Sequence, residues 1–109
     1  MEKKAWLELL MDFYGQMLTE RQRAAVSLYC GEDLSLAEIA EQEGISRQGV
    51  RDALQRAEKT LTQMEEQLQL ATRYQKLKMG LLELSENLLQ NGNAESAQRI
   101  RSLLNDWEG

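Results

Sequence analysis

The chain has 109 residues, with 13 Lys and Arg against 18 Asp and Glu, and a formal net charge of −5 at pH 7. It contains no His, which is the usual general base near neutral pH and the commonest metal ligand, so most enzyme classes and metal sites are disfavoured. One Cys excludes an intrachain disulfide, and the lack of Pro together with only seven Gly indicates a largely helical chain.

Two amphipathic helices are predicted in the first third of the chain. Apolar side chains recur at helical spacing over residues 4–17 and predict the first helix. A capping box, in which Thr19 and Gln22 satisfy each other's backbone N–H groups, predicts a second helix over residues 20–30. Gly31 is expected to end this helix in the left-handed conformation.

The middle of the sequence has the layout of a helix-turn-helix. A second capping box at Ser35 and Glu38 opens a short helix, which Gly44 ends, and Ser46 caps the helix that follows. Ala40 supplies the small side chain that is needed where the two helices approach each other. Short helix, glycine turn and capped second helix together predict a helix-turn-helix.

The helix that starts at Arg47 is predicted to be long, with a heptad-like apolar seam up to Ala71. After Ala71 the apolar spacing changes, so a bend or break is expected between Gln67 and Gln75. The seam is expected to pack either within the chain or against a second copy. Its candidate residues for contacts with the tail or with a second copy are Leu61, Met64 and Leu68.

The last part of the sequence predicts a helical hairpin. Asn91-Gly92-Asn93 is a strong turn signal, and an amphipathic helix is expected from Ala94 to Trp107. The predicted fold class is all-α, with a helix-turn-helix head over residues 1–60 and a helical hairpin or coiled-coil-like tail over residues 61–109. The tail is expected to pack on the head or on a second copy.

The exposed side of the second helix of the motif carries the candidate nucleic-acid-binding residues. In helix-turn-helix proteins this helix enters the major groove, where Arg pairs with guanine and Gln with adenine. The candidates are Arg47, Gln48, Arg51 and Gln55, which are expected to face bases, and Arg56 and Lys59, which are expected to hold phosphates. Four cations and two carboxylates give residues 47–59 a local charge of +2 in an acidic chain.

The acidic residues of the sequence bear on two questions, namely whether the motif binds a protein instead of nucleic acid and whether the chain holds a metal. Glu38, Glu41 and Glu43 on the preceding helix would repel phosphates, so the motif is alternatively a scaffold for a protein partner. The neighbouring pair Glu65 and Glu66 is expected on a solvated face and not at a metal site, because no His or Asp accompanies it in register. No metal and no cofactor is predicted.

Three segments resemble the fourth region of bacterial sigma-70 family factors. They are residues 18–22 (Leu-Thr-Glu-Arg-Gln), residues 33–40 (Asp-Leu-Ser-Leu-Ala-Glu-Ile-Ala) and residues 44–50 (Gly-Ile-Ser-Arg-Gln-Gly-Val). With Asp-Phe-Tyr at residues 12–14, Leu-Tyr at residues 28–29 and an acidic helical tail, the chain more closely resembles the small bacterial YlxM-type helix-turn-helix family. This second resemblance runs over most of the chain.

The YlxM-type resemblance implies a cytoplasmic regulatory or accessory protein of the signal recognition particle pathway, and not an enzyme. Its expected partners are nucleic acid, either DNA or the particle's RNA, and the particle's proteins. No stretch approaches the roughly 20 apolar residues that span a bilayer. Because helix-turn-helix proteins usually read DNA as dimers, a homodimer is expected. The alternatives are a protein-interaction adaptor and a conventional DNA-binding transcription regulator.

Overall fold

A computed structural model describes residues 2–109 of the protein, and all regular elements in this range are helical. The helices are α1 (Lys3–Tyr14), α2 (Glu20–Val26), α3 (Leu36–Glu43), α4 (Arg47–Leu68), α5 (Leu70–Gln90) and α6 (Ala94–Glu108). A 3-10 turn over Gly15–Met17 follows α1, and α2 continues into a π-helical turn over Ser27–Gly31. The predicted all-α class is confirmed.

The chain divides into two compact units, Met1–Ala71 and Thr72–Gly109. From here on the first unit is called the head and the second the tail. The head extends beyond the predicted boundary at residue 60 and includes all of α4. This is because side chains in the second half of α4 belong to the core of the head.

The core of the head is formed where α1 and α2 pack against α4. Leu10 of α1 and Leu61 of α4 have no exposed surface, and Val26 of α2 belongs to the same cluster. Met64 packs at its margin, half-buried, whereas Leu68 is 45% exposed. Two of the three predicted contact residues of the seam therefore pack within the head, which leaves Leu68 as the accessible one.

The long helix breaks at Gln69, within the predicted interval. Gln69 has a φ of 56°, in the left-handed region, so α4 ends at Leu68 and α5 begins at Leu70. A non-glycine residue in this conformation costs about 1–2 kcal/mol. The break therefore depends on favourable contacts nearby.

A buried carboxylate lies at this break. Tyr14 donates its hydroxyl to Oε1 of Glu65 at 2.7 Å, and the backbone N–H of Ala71 donates to the same oxygen at 3.1 Å. The N–H of Leu70 donates to the Tyr14 hydroxyl at 3.1 Å. The prediction of a solvated face was wrong for Glu65, which is 8% exposed. Its carboxylate accepts from the N–H of Ala71, and the Tyr14 hydroxyl accepts from the N–H of Leu70, so two N–H groups at the start of α5 that the broken helix leaves unpaired gain partners.

The residue that adopts the left-handed conformation after α2 is not the predicted Gly31. The positive φ angles among residues 2–109 do not include Gly31, and Asp33 adopts the left-handed conformation instead, with a φ of 54°. The π-helical turn adds length to the end of α2 and moves the chain reversal past Gly31. Asp33 then pairs with Lys4 of α1, Nζ to Oδ1, at 2.5 Å, and this ammonium lowers the pKa of the Asp33 carboxyl.

The tail is the predicted helical hairpin of α5 and α6. Gly92 turns the chain with a φ of 81°, and the side chain of Asn93 accepts a hydrogen bond from the N–H of Ser96 at the start of α6. The fully buried hydroxyl of Ser85 donates to the Ala97 carbonyl oxygen at 3.1 Å, which ties α5 to α6. Near the other end of the hairpin, Lys78 pairs with Glu108 at 2.6 Å, and the rings of Tyr74 and Trp107 stack with centroids 4.9 Å apart.

Two glycines give a matched test of the turn between α3 and α4. Gly44 has a φ of 68°, and a Cβ added there would meet nothing within 4 Å, so Gly44→Ala carries only a backbone cost of about 1 kcal/mol. An added Cβ at Gly80, in the interior of α5, would also meet open space, and Gly80→Ala is expected to stabilise the helix by about 0.5–1 kcal/mol. Chemical denaturation followed by circular dichroism measures both. Changes of the same sign would contradict this assignment.

Candidate nucleic-acid interface

The first helix of the motif is fixed at both ends by local hydrogen bonds. In its capping box the Glu38 N–H donates to Ser35 Oγ at 3.1 Å, and the Ser35 N–H donates to Glu38 Oε1 at 2.9 Å. At the other end, left-handed Gly44 reverses the chain and the N–H of Ile45 donates to the Ala40 carbonyl oxygen at 3.0 Å. These contacts confirm the predicted capping box and turn.

The second helix starts at a serine cap and is held by a small apolar core. Ser46 Oγ accepts from the Gly49 N–H at 3.0 Å, so α4 begins at Arg47. Ile39 of α3 and Val50 of α4 have no exposed surface and pack together beneath the turn. The cap and this core set the position of the first turns of α4 in the head.

All six predicted nucleic-acid-binding side chains are exposed on α4. We call them the reading face: Arg47, Gln48, Arg51, Gln55, Arg56 and Lys59. With 3.6 residues per turn, Gln48, Gln55 and Lys59 lie opposite the buried face of α4. Arg51 and Arg56 lie on its two flanks.

The two carboxylates of this segment are already engaged. Asp52 Oδ1 accepts a hydrogen bond from Nε2 of Gln48, one helical turn away, at 2.9 Å. Glu58 Oε1 pairs with Nζ of Lys3 on α1 at 3.0 Å. Both contacts are on the surface and are individually weak. They still reduce the repulsion that these carboxylates would exert on a polyanion along α4.

A shallow cleft of about 290 Å³ between α2 and α4 brings two arginines to one place. Arg56 lines it from α4 and Arg21 lines it from α2, with Thr19 and Asp52 also at its surface. Arg21 was not among the residues predicted from the sequence, because only the packing of α2 on α4 brings it beside Arg56. The available signal was an Arg in the first turn of α2, within the capping box that Thr19 and Gln22 form.

The flank formed by α3 has the opposite charge. Glu38, Glu41 and Glu43 are exposed there, with no basic residue within Leu36–Glu43. Hydrogen bonds from Ser35 lower the pKa of the Glu38 carboxyl, so this residue stays ionised. The motif therefore has a basic side towards α2 and an acidic side along α3.

The residues that the structure describes give little support for a metal site, a reactive cysteine or a membrane-spanning helix. Among residues 2–109, no three His, Cys, Asp or Glu side chains are grouped so that they would hold a metal ion. Burial, together with the nearby Glu8 carboxylate, raises the pKa of the Cys30 thiol, which makes it a poor nucleophile. None of the helices described is long and apolar enough to cross a membrane.

Comparison with known proteins identifies relatives over nearly the whole chain. The family described as "Putative helix-turn-helix protein, YlxM / p13 like", UPF0122, matches residues 1–103. A UPF0122 protein of Desulforamulus reducens is 46% identical over 102 residues, which are 90% of this chain and 86% of the relative. A UPF0122 protein of Clostridium kluyveri is 37% identical over 107 residues, which are 95% of this chain and 96% of the relative.

Proposed function

We propose that this chain, which belongs to the UPF0122 family, is a regulatory or accessory protein that binds nucleic acid and does not act as an enzyme. One observation carries the proposal. The second helix of a capped helix-turn-helix exposes six cationic and amide side chains, while the two carboxylates of its segment are engaged by Gln48 and Lys3. These residue types match the hydrogen-bonding groups of bases in the major groove and the charge of phosphates.

In this proposal the residues of the reading face have different roles. Arg47, Gln48, Arg51 and Gln55 contact base edges, and Gln48 gives up its hydrogen bond to Asp52 when it does so. Arg56 and Lys59 contact phosphates. Arg21 joins them, because it shares a cleft with Arg56 on the basic side of the motif. The acidic flank of α3 favours a phosphate backbone that runs along the α2 side.

The finer part of the proposal concerns the target. The YlxM-type resemblance supports a role in the signal recognition particle pathway, with the particle's RNA as one candidate ligand and chromosomal DNA as the other. Contact with proteins of the particle belongs to the same proposal. Both nucleic acids are found in the bacterial cytoplasm, and we place the protein there.

A fluorescence-anisotropy titration tests binding and target together. The purified chain is titrated into a labelled random duplex DNA and, separately, into labelled signal recognition particle RNA. With three phosphate contacts, from Arg21, Arg56 and Lys59, a fourfold rise in salt is expected to weaken duplex binding by about 40-fold, since each contact adds about −0.9 to the logarithmic slope.

The preferred probe decides between the two targets. Tighter binding of the particle's RNA favours the accessory role, and selection of one sequence from a random DNA pool favours a transcription regulator. If neither probe binds at low salt, nucleic-acid binding is contradicted. The helix-turn-helix is then a scaffold, and the search turns to protein partners of the tail.

We further propose that the protein acts as a homodimer, with the tail as the contact surface. The tail exposes several large apolar side chains, including Leu77, Leu103 and Trp107, which are each about three-fifths exposed or more. Its buried residues are few, and a two-helix hairpin of this size buries too little apolar surface to be stable alone.

Light scattering coupled to size exclusion tests the homodimer. The wild type is expected at twice 12.5 kDa, and Leu77→Lys with Leu103→Lys is expected to give a monomer. The matched control, Asn87→Lys with Ser102→Lys, places two lysines at exposed polar positions of the same two helices. A wild type that stays monomeric at all concentrations would contradict the homodimer.

A further inference from the structure

The head has a second and larger cleft, of about 600 Å³, on the flank of α4 that carries Arg51. Its floor is apolar. Leu7 and Val26 lie buried at the bottom, while Tyr29, Leu36 and Leu54 line it half-buried and keep part of their apolar surface accessible. This volume lies within the range of small-molecule sites, which are mostly apolar with a few polar groups at the edge.

Most of the charged groups at the rim of this cleft already have partners. Lys3 pairs with Glu58 at 3.0 Å, which links α1 to α4. Lys4 pairs with Asp33 and lies 4.3 Å above the centroid of the Tyr29 ring. These ion pairs offset the charges of both lysines and of Glu58. A ligand therefore gains little by competing for them.

Arg51 is the exception at the rim. Within residues 2–109 its guanidinium makes no ion pair and no hydrogen bond, and it lies beside the exposed amide of Gln55. A guanidinium presents several N–H donors in a plane that matches a carboxylate. The cleft thus combines an apolar floor with one cation that lacks a partner.

We propose that this cleft binds a small amphiphilic anion, with its carboxylate on Arg51 and its hydrocarbon part against Leu36, Leu54 and Tyr29. Charge complementarity selects an anion, because three cations and two carboxylates line the cleft and both carboxylates are engaged. Lys3 holds Glu58, and Glu2 accepts from the backbone N–H of Lys4 at 3.2 Å, which leaves Arg51 as the charged side chain at the rim without a partner. The apolar floor selects a ligand with a hydrocarbon body over a plain inorganic anion.

Such a ligand would regulate the reading face. Arg51 cannot contact a base while a carboxylate occupies its guanidinium, so ligand and nucleic acid compete. This consequence rests on the proposed function, whereas binding in the cleft does not.

Decanoate, used below its micelle-forming concentration, is the probe, and methyl NMR of the full-length chain is the measurement. Saturable shifts are expected for the methyl groups of Leu36 and Leu54, with the exposed methyl group of Met17 in the head as the reference for non-specific contact. Arg51→Ala is expected to weaken binding by about tenfold, as the loss of a hydrogen bond to a charged group does. Decanol, which lacks the charge, is expected to bind the wild type about as weakly as decanoate binds Arg51→Ala.

The matched control is Arg73→Ala, which removes an exposed arginine of the tail and is expected to leave the affinity for decanoate unchanged. Equal shifts for Met17 and for the cleft methyl groups, or equal affinities of Arg51→Ala and Arg73→Ala, would overturn the site. Decanoate is also expected to release a bound nucleic-acid probe. If the cleft methyl groups shift but neither nucleic acid binds the wild type, the proposed function fails while the ligand site stands.

Discussion

Reversing two charges of the reading face, Arg51→Glu with Arg56→Glu, is expected to weaken nucleic-acid binding by about 100-fold or more. Each arginine contributes about 1–3 kcal/mol when it contacts a base or a phosphate, and a carboxylate in its place adds repulsion. Both side chains are exposed, so the free energy of unfolding should change by less than about 0.5 kcal/mol. Anisotropy and thermal denaturation measure the two effects.

The matched control reverses two exposed arginines of the tail, Arg73→Glu with Arg99→Glu. Each reversal changes the charge by −2, so both double variants carry −9 in place of −5. General repulsion between an acidic protein and a polyanion is therefore the same in both. If the two variants bind equally, the reading face is not the contact surface.

The single variant Arg21→Ala separates the phosphate contacts from the base contacts. It should lower the affinity for every sequence alike and reduce the logarithmic salt slope by about 1. Arg51→Ala should instead change the preference among sequences, because Arg51 is assigned to a base. An Arg21→Ala variant with an unchanged salt slope would remove α2 from the interface.

The parts of the fold that the sequence predicted depend on contacts between near neighbours. The capping boxes at Thr19 and Ser35 join residues three positions apart, and Gly44 acts through its own backbone angle. Helical periodicity also assigned the reading face to the exposed side of α4, because the apolar residues of the same helix define the opposite side. The break at Gln69 lies where that periodicity changes.

The parts that the sequence missed depend on residues far apart in the chain. Periodicity placed Leu61 on an apolar face but left open whether this face packs within the chain or against a second copy, and in the structure Leu61 belongs to the core formed with α1 and α2. Arg21 joins Arg56 only because α2 packs on α4. Glu65 has the sequence signature of a solvated residue, and its burial follows from a tyrosine hydroxyl 51 positions away. No local pattern carries such information.

Removing the carboxylate at the break, Glu65→Ala, is expected to lower the free energy of unfolding by about 2–4 kcal/mol. The change leaves the Tyr14 hydroxyl and the Ala71 N–H without their acceptor in a buried place, and each unsatisfied group costs about 1–3 kcal/mol. The left-handed Gln69 also loses the contacts that offset its backbone cost. Urea denaturation followed by circular dichroism measures the loss.

Two further variants show which property of Glu65 matters. Both donors bind the same oxygen, Oε1, so the amide oxygen of Glu65→Gln can accept both hydrogen bonds, and this variant should be more stable than Glu65→Ala. Glu66→Ala removes an exposed carboxylate next to it and should stay within about 0.5 kcal/mol of the wild type. Glu65→Ala and Glu66→Ala variants of equal stability would show that the buried network does not stabilise the head.

The pH dependence of stability tests the hydrogen bond between Tyr14 and Glu65 through the titration of the Tyr14 hydroxyl. Burial raises the pKa of the Tyr14 hydroxyl above its ordinary 10.0, and the hydrogen bond to Glu65 raises it further. The folded head therefore holds this proton at a pH where the unfolded chain has released it. The resulting stabilisation is complete below pH 10 and is lost as the pH rises through the folded-state pKa. Tyr14→Phe should be less stable than the wild type at pH 7, and the difference should shrink above pH 10. Equal stability of the two proteins at pH 7 would mean that Tyr14 stabilises the break by packing of its ring alone, and a difference that stays constant above pH 10 would contradict the linkage to this proton.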